Sequence, residues 1–122
     1  MTSYGEDAAH LKQFLDVCRA SAPIRRDRCG DPYIPCRNGH IYRNGIGYLV
    51  FLSFTDRPRT WNSAKKRLLP YKVTQDGDDE GCIDIFNPFV VPASIIRAVV
   101  GLRKRGRSDA AKHLEKYRFG NA

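Results

Sequence analysis

The sequence predicts a small α+β domain covering residues 1–122, with the element order αββαββαα. We expect a sheet of about four mainly antiparallel strands, with the helices packed on one of its faces. Three observations give this prediction. Amphipathic helical spacing occurs near both ends of the chain, two turn signals each separate a pair of short apolar runs, and 122 residues make one domain of ordinary size.

The N-terminal segment predicts an amphipathic helix over about residues 5 to 20. Ser3 and Glu6 have the spacing of a capping box, and apolar side chains from Ala8 to Cys18 recur at intervals of three and four. The next segment, residues 21–39, holds three prolines and two glycines and predicts a long irregular connection. Because ordered loops of this length are usually functional or tied down, its arginines are candidates for binding.

The dipeptide Asn44-Gly45 predicts a β-hairpin with a type I′ turn, since both residue types tolerate a positive φ. The run that follows it is apolar on both faces from Tyr48 to Leu52. This pattern indicates a central strand that either carries packed elements on each side or has one side covered by a partner.

The second half of the chain predicts another helix, a second hairpin and two final helices. Thr60 is placed to cap a short helix, WNSAKKRLL, which ends before Pro70. The runs YKVTQ and CIDIF flank the acidic turn DGDDEG. Pro92 suits the first turn of a helix with a wide apolar stripe, and Ser108 begins a last helix, DAAKHLEKYRF, that Gly120 ends.

Composition narrows the classes of protein. Hydrophobic residues at 42% and charged residues at 28% exclude a disordered or collagen-like chain. The longest apolar run has nine residues, whereas a membrane-spanning helix needs roughly 20, so no membrane partner is expected. Acidic residues stand near the N-terminus, where a signal peptide carries positive charge, so we expect a cytoplasmic protein with four reduced cysteines.

Charge is segregated along the chain. Residues 25–73 carry eleven bases and three acids, and residues 97–122 carry eight bases and two acids. Between them, residues 74–96 hold five acids and no base. Together with a net charge of +8 and a pI near 9.6, this pattern favours a polarised surface with a polyanionic partner.

The leading hypothesis is a non-catalytic nucleic-acid-binding domain, or an accessory factor of a nucleic-acid-processing complex, that holds the phosphate backbone of DNA or RNA on a basic face. Trp61 has two interpretations, a ring stacked on an unpaired base or a buried anchor, and its helical spacing favours burial. The basic residues after the third predicted helix are more numerous than favourable interaction with the helix dipole explains, which favours a role in binding. The predicted nucleic-acid-binding residues are Arg57, Arg59, Trp61, Asn62, Lys65, Lys66, Arg67, Arg103, Lys104, Arg105 and Arg107, with Arg25, Arg26 and Arg28 as auxiliaries.

In size and basicity the chain resembles short accessory proteins of phages and mobile elements, although no motif carries that resemblance. A protein-interaction module, an adaptor or inhibitor, is the second hypothesis. Such a module would dock through the acidic turn. The predicted contacts are Asp76, Asp78, Asp79 and Glu80.

A small metal-dependent hydrolase or nuclease is the third hypothesis. Two-metal sites need converging carboxylates, often beside a lysine, and Asp84 with Lys72 is the pair of residues that could form part of such a site. His40 with His113 could serve RNA cleavage. The sequence contains no nucleophile elbow, P-loop or cofactor fingerprint, which favours a protein without catalytic activity or a cofactor.

Zinc binding is considered because Cys29, Cys36 and His40 lie within twelve residues. The spacing differs from that of zinc fingers and ribbons, and a fourth ligand would have to come from elsewhere. The favoured interpretation assigns no metal and places Cys18 and Cys82 in apolar positions as small hydrophobic residues.

Overall fold

The computed structural model describes residues 4–106 as an α+β fold, with three helices and two antiparallel sheets. The helices are α1 (Tyr4–Val17), α2 (Pro58–Arg67) and α3 (Ala93–Val100). The strands are β1 (Ala20–Ser21), β2 (Arg25–Arg26), β3 (Pro32–Cys36), β4 (Gly39–Asn44), β5 (Gly47–Ser53), β6 (Lys72–Asp76), β7 (Glu80–Ile85) and β8 (Arg103–Lys104). The last predicted helix, which begins after Ser108, lies outside the described residues.

The main sheet has six strands in the order β2-β3-β4-β5-β7-β6, and every neighbouring pair is antiparallel. Helix α2 connects β5 to the far edge strand β6, and β7 then returns between them. The second sheet pairs β1 with β8. The predicted class and antiparallel pairing are confirmed, whereas the count of four strands and the order αββαββαα are wrong.

The extra strands β2 and β3 lie in the proline-rich segment that the sequence predicts to be irregular. Because proline cannot donate a hydrogen bond to a neighbouring strand, a segment that contains two prolines is not predicted to form a strand. Strand β2 pairs only with Pro32 and Tyr33 of β3. From Ile34 onward β3 forms the edge of the sheet, where Pro35 is tolerated.

The predicted hairpin around Asn44-Gly45 is confirmed as β4 and β5, but its turn is shifted by one residue. Asn44 is the last strand residue and pairs with Gly47, so Gly45 and Ile46 form the turn. Gly45 has a φ of 62° and Ile46 does not share the positive φ. A glycine at the first central position alone is typical of a type II′ turn, in place of the predicted type I′.

Helix α2 begins earlier than predicted, with Pro58 at its start and Arg57 as the N-cap, in place of Thr60. A proline suits the first helical position because its fixed φ is already helical. The helix ends at Arg67, before the predicted LeuLeu pair. The predicted helix after Pro92 is present as α3, but Pro92 is its N-cap and not a residue of its first turn. Gly101, with a φ of 81°, ends the helix in the left-handed conformation.

The core lies on one face of the main sheet. Ile34, Ile41, Val50 and Ile83 are paired in register across four strands, and all are fully buried. The helices cover this face: the Phe14 ring of α1 lies 4.7 Å from the Tyr48 ring, and buried residues of α2 and α3 join the same cluster. Alternate residues of the strands point to the other side. That side, called here the open face, has no helix packed on it among residues 4–106.

Two further expectations concern the environment of the cysteines and the absence of a membrane-spanning helix. Cys18 is fully buried in the core, which confirms that it fills an apolar position. Cys82 is 6% exposed but lies outside the core cluster, where it pairs with Phe51 and its thiol donates to Gln75 Oε1 at 3.4 Å, so its surroundings are partly polar. Among the described residues, none of the helices is both long and apolar enough to pass through a membrane.

Candidate nucleic-acid interface

Trp61 fixes α2 to the sheet. Its side chain is fully buried, and Nε1 donates hydrogen bonds to Asp76 Oδ1 at 2.8 Å and to the Gly77 carbonyl at 3.1 Å. The interpretation of Trp61 as an anchor is confirmed, and its placement among nucleic-acid contacts is wrong because no face of the ring reaches the surface. Burial of the large apolar indole ring is favourable as long as its N–H group donates a hydrogen bond, as it does here.

The side of α2 opposite Trp61 is exposed and cationic. Arg59, Asn62, Ser63 and Lys66 recur at intervals of three and four and form one exposed stripe. The cationic face of α2 is defined here as Arg59 and Lys66 of this stripe together with the exposed residues at the two ends of the helix, Arg57 at the N-cap and Arg67 in the last turn. The first turn of the helix carries no acidic residue.

Lys65 differs from the other cations of α2 because its charge is paired. Its Nζ lies 2.9 Å from Asp76 Oδ1 and 5.2 Å from the centre of the Trp61 ring. Hydrogen bonds from Lys65 first, and from Trp61, lower the pKa of Asp76. Lys65 therefore holds the helix to the β6–β7 turn, and it is not a free phosphate contact.

The second basic block lies around β8. Arg103 and Lys104 are exposed and pair with Ser21 and Ala20, respectively. Arg105 is bound to α1 through an ion pair of 2.6 Å from Nη2 to Asp16 Oδ1. Arg107 lies outside the described residues. The structure thus leaves Arg103 and Lys104 as the exposed cations of this block among residues 4–106.

The two basic blocks border different pockets. Lys104 lines an open pocket of about 430 Å³ together with Arg19 and Arg97. Arg67 lines a smaller pocket of about 100 Å³ between α2 and α3, beside Ala98. The pockets share no lining residue, so a joint phosphate-binding face across both blocks stays a prediction.

The auxiliary arginines lie at the β2 edge of the main sheet. Arg25 pairs in register with Tyr33, which places it at the edge of the open face. The Arg26 guanidinium lies 4.3 Å above the centre of the Tyr4 ring, in a cation–π contact. Arg28 is exposed in the turn that follows.

Asp27 organises the turn between β2 and β3. Its Oδ1 accepts hydrogen bonds from the backbone N–H groups of Cys29 and Asp31, and its Oδ2 accepts one from the Tyr42 hydroxyl at 2.9 Å. The bond from Asp31 is the largest cause of a lowered pKa of Asp27. Asp27 therefore joins the arginine-bearing turn to β4.

The open face carries a cluster of aromatic side chains that the sequence did not predict. His40 stacks on Phe51 with ring centres 5.0 Å apart, and Tyr33 stacks on Tyr42 at 5.6 Å. His40 meets Tyr42 edge-on at 5.4 Å and joins the two pairs. All four side chains are half-buried. We call these residues the aromatic face.

Alternation along the strands could have revealed the aromatic face. His40 and Tyr42 occupy alternate positions of β4, and Phe51 pairs in register with His40 across the hairpin. The sequence analysis did not place Tyr33 beside these rings, because the segment that forms β3 was predicted to be an irregular loop. Without β3, the remaining rings do not suggest a continuous surface.

Two polar rings of this cluster, those of His40 and Tyr42, have pKa values that favour the uncharged form near neutral pH. Burial lowers the pKa of His40. Burial, and then the hydrogen bond to Asp27, raises the pKa of Tyr42 to about 12. His40 and Tyr42 therefore place neutral rings in a cluster whose two stacked pairs stand at about right angles.

We expect the free energy of unfolding to fall as the pH is lowered through the usual histidine pKa of 6.5. At these pH values the unfolded chain binds a proton at this histidine more readily than the folded chain, because the folded-state pKa is lowered, so protonation favours unfolding. Urea unfolding between about pH 7.5 and 5 measures the effect, and His40→Phe should remove it while keeping the ring on Phe51. His10→Gln, a histidine change on α1, is the control. An unchanged pH dependence in His40→Phe would contradict the assignment.

The acidic turn is partly used by the fold. Asp76 binds Lys65 and Trp61, and Asp79 Oδ2 accepts a hydrogen bond from the backbone N–H of Asp56 at 2.8 Å. Asp78 and Glu80 are exposed. Two of the four predicted protein-docking carboxylates thus stabilise the fold, and two face solvent.

The residues considered for metal chemistry are only partly brought together. Asp84 and Lys72 pair in register on adjacent strands. Within residues 4–106, no three histidine, cysteine, aspartate or glutamate side chains are grouped as a metal site requires. For zinc, Cys36 Sγ donates to the Ile34 carbonyl and burial raises its pKa to about 12, which disfavours the thiolate. Cys29, Cys36 and His40 therefore do not form a zinc site.

Comparisons of this chain with models of known families, with curated proteins and with solved structures find no match. The argument for function therefore depends on the surfaces described above.

Proposed function

We propose that this protein is a non-catalytic nucleic-acid-binding domain, or an accessory factor of a nucleic-acid-processing complex, that contacts the phosphate backbone of DNA or RNA through α2. The observation that carries the proposal is the cationic face of α2, in which Arg59 and Lys66 lie opposite the buried Trp61 side and exposed Arg57 and Arg67 stand at the two ends of the helix. Neutralising phosphates with such side chains releases condensed counterions, and this release supplies most of the affinity of sequence-independent binding.

The anchoring of α2 supports this role. Trp61 and Lys65 both bind Asp76, which holds the helix against the β6–β7 turn. Cations on a fixed backbone lose less conformational entropy on binding than cations on a mobile loop. Asn62 and Ser63, in the exposed stripe between Arg59 and Lys66, can donate hydrogen bonds to phosphate oxygens.

Other cations take secondary places in the proposal. Arg103 and Lys104 are exposed and can extend the contact with a longer nucleic acid, as can Arg25, Arg26 and Arg28 at the β2 edge. Lys65 and Arg105 contribute less because carboxylates already pair with them.

The test is fluorescence anisotropy with labelled single- and double-stranded DNA and RNA at several salt concentrations between about 50 and 300 mM. For four phosphate contacts, the logarithm of the binding constant should fall against the logarithm of salt with a slope of about −3 to −4. Binding that does not change over this range, or no binding at the lowest salt, would overturn the proposal.

A protein-interaction module remains the second candidate because Asp78, in the β6–β7 turn, and Glu80, at the start of β7, are exposed and lie close in sequence to residues that anchor α2. The two candidates differ in what charge reversal there does. If the turn repels phosphate and orients the nucleic acid, Asp78→Lys with Glu80→Lys should raise affinity for DNA or RNA by about 2- to 10-fold at low salt. An unchanged affinity in the anisotropy assay would show that these carboxylates do not orient the nucleic acid, as the second candidate requires.

A further inference from the structure

We propose that the pocket of about 430 Å³ beside the end of α1 binds the terminal phosphate of a nucleotide, either free or at the end of a nucleic-acid strand. Arg19, Arg97 and Lys104 supply the positive charge, and Phe89 supplies a ring for the base. The pocket contains no residue of α2, so this site can exist whether or not the cationic face of α2 binds a nucleic-acid backbone.

Parts of the chain that are distant in the sequence form the pocket. Arg19 comes from the turn after α1, Lys104 from β8, and Ser94 and Arg97 from α3. The pairing of β1 with β8 brings the first two together, because Lys104 pairs with the residue that follows Arg19. The volume lies within the range of about 300–1,000 Å³ that is usual for small-ligand sites.

Positive charge at this pocket is not offset within residues 4–106. None of the residues that line the pocket is acidic, and residues 85–106 contain four basic residues and no acidic one. Asp16, the closest acidic residue to Arg19 in the sequence, is paired with Arg105 at 2.6 Å. No carboxylate of the described residues forms an ion pair with Arg19, Arg97 or Lys104. Three like charges around one cavity repel each other, and a bound anion relieves that repulsion.

Arg97 is fixed in place with most of its donors still available. It is half-buried, and its Nη1 donates a hydrogen bond to the Cys18 carbonyl at 2.7 Å, which joins α3 to the end of α1. A guanidinium has five N–H donors, so this bond leaves others for a phosphate. Ser94 lies one turn earlier on the same side of α3, where its exposed hydroxyl can donate as well.

Arg19 has a backbone conformation that arginine rarely adopts. Its φ is 51°, in the left-handed region where glycine is usual after a helix, and a side chain there costs stability. Its carbonyl accepts a hydrogen bond from the Arg105 N–H at 2.7 Å, which a glycine would also accept. The side chain is exposed. The fold therefore needs no side chain at this position, and the pocket gives the arginine a use.

The lining favours the terminal phosphate of a nucleotide over a phosphate inside a backbone. A phosphate monoester carries a charge of about −1.5 to −2 near pH 7, whereas each backbone phosphate carries a single negative charge. Phe89 is 76% exposed and contacts no other aromatic ring within residues 4–106, so its face is free for a base. Its N–H donates to Asn87 Oδ1 at 2.9 Å, which holds the segment that carries the ring.

Isothermal titration calorimetry of the full chain tests the site with adenosine 5′-monophosphate and with adenosine, which lacks the phosphate. We expect the wild type to bind the monophosphate at least about 10-fold more tightly than adenosine. Arg19→Gln should weaken binding of the monophosphate by about 10-fold. Arg103→Gln is the matched control, since it removes the same charge at an exposed arginine outside the pocket and should change binding by less than about 2-fold.

Arg19→Gly separates binding from folding. It should weaken binding of the monophosphate as much as Arg19→Gln does, while the urea midpoint stays the same or rises, because glycine suits the left-handed conformation. A lower midpoint with unchanged binding would show that Arg19 serves the fold alone and would overturn the proposal. Phe89→Leu should weaken the monophosphate by about 5-fold and leave inorganic phosphate unaffected. Monophosphate binding that Phe89→Leu does not change would overturn the base contact.

Oligonucleotides of about 12 residues with a 5′-phosphate or a 5′-hydroxyl distinguish the two sources of the phosphate. A preference for the phosphorylated strand that Arg19→Gln removes assigns the site to strand ends, whereas binding of the monophosphate without this preference assigns it to free nucleotides. No gain from the phosphate in either comparison, or equal losses in Arg19→Gln and Arg103→Gln, overturns the proposal. Arg59→Glu with Lys66→Glu should leave binding of the monophosphate unchanged, so failure of this site and failure of backbone binding at α2 are told apart.

Discussion

Trp61→Ala is expected to lower the free energy of unfolding by about 3–5 kcal/mol. The side chain is fully buried, lies 6.4 Å from the Phe54 ring between ring centres, and packs so closely on Gly81 that a Cβ there would overlap the indole. The substitution would leave a cavity between α2 and the sheet and would remove both hydrogen bonds of Nε1. Urea denaturation followed by circular dichroism measures the loss.

Trp61→Phe serves as the control for Trp61→Ala. It keeps most of the apolar volume and loses the bonds to Asp76 and Gly77, so its cost should be smaller, about 1–3 kcal/mol. Asn62→Ala, on the exposed side of the same helix, should change stability by only about 0.5 kcal/mol. A cost below about 1 kcal/mol for Trp61→Ala would show that the indole does not anchor α2.

Signals that lie within a few residues of each other predict much of this fold. The hairpin at Asn44-Gly45 and the acidic turn before β7 follow from turn chemistry alone, although the first turn is displaced by one residue. The burial of Trp61 follows from its spacing with Ala64 and Leu68, and all three side chains are buried. Such features depend on neighbours in the chain, which the sequence displays.

Features that depend on the pairing of strands far apart in the sequence cannot be predicted from such local signals. Strand β3 contains Pro32 and Pro35, and what makes it a strand is pairing with β4, which covers every residue from Ile34 to Cys36. The strands β1 and β8 have two residues each and are joined across the length of the chain. Neither gives a periodic signal, because a strand of two residues is too short to alternate.

The candidate site shows the same difference between features set by neighbouring residues and features set by distant pairing. The sequence places the bases of α2 on the exposed side of a helix, and the structure agrees for Arg59 and Lys66. It does not show which bases are already paired, since the carboxylate partners of Lys65 and Arg105 lie 11 and 89 residues away. The aromatic face was missed for the same reason, because Tyr33 reaches Tyr42 only once β3 has formed.

Reversing two charges on the cationic face of α2, Arg59→Glu with Lys66→Glu, should weaken binding to DNA and RNA by about 100-fold at 0.1 M salt. The two side chains lie seven positions apart on one side of the helix, so both can contact one backbone. Each lost phosphate contact should also make the salt slope shallower by about 0.7–0.9, which gives a total change of roughly 1.5. A glutamate is favourable near the helix start at Arg59 and unfavourable near its end at Lys66, so the fold should keep its stability.

The matched control for this prediction is Lys12→Glu with Arg37→Glu, which makes the same change in net charge at exposed residues outside α2. If only the total charge of the chain mattered, the two double variants would lose the same affinity, because long-range attraction depends on net charge. If α2 contacts the backbone directly, the salt slope should change in the α2 variant alone and equally for every nucleic-acid sequence. Equal losses and equal slopes in the two variants would therefore reject α2 as the phosphate-binding surface, even if the protein binds nucleic acid.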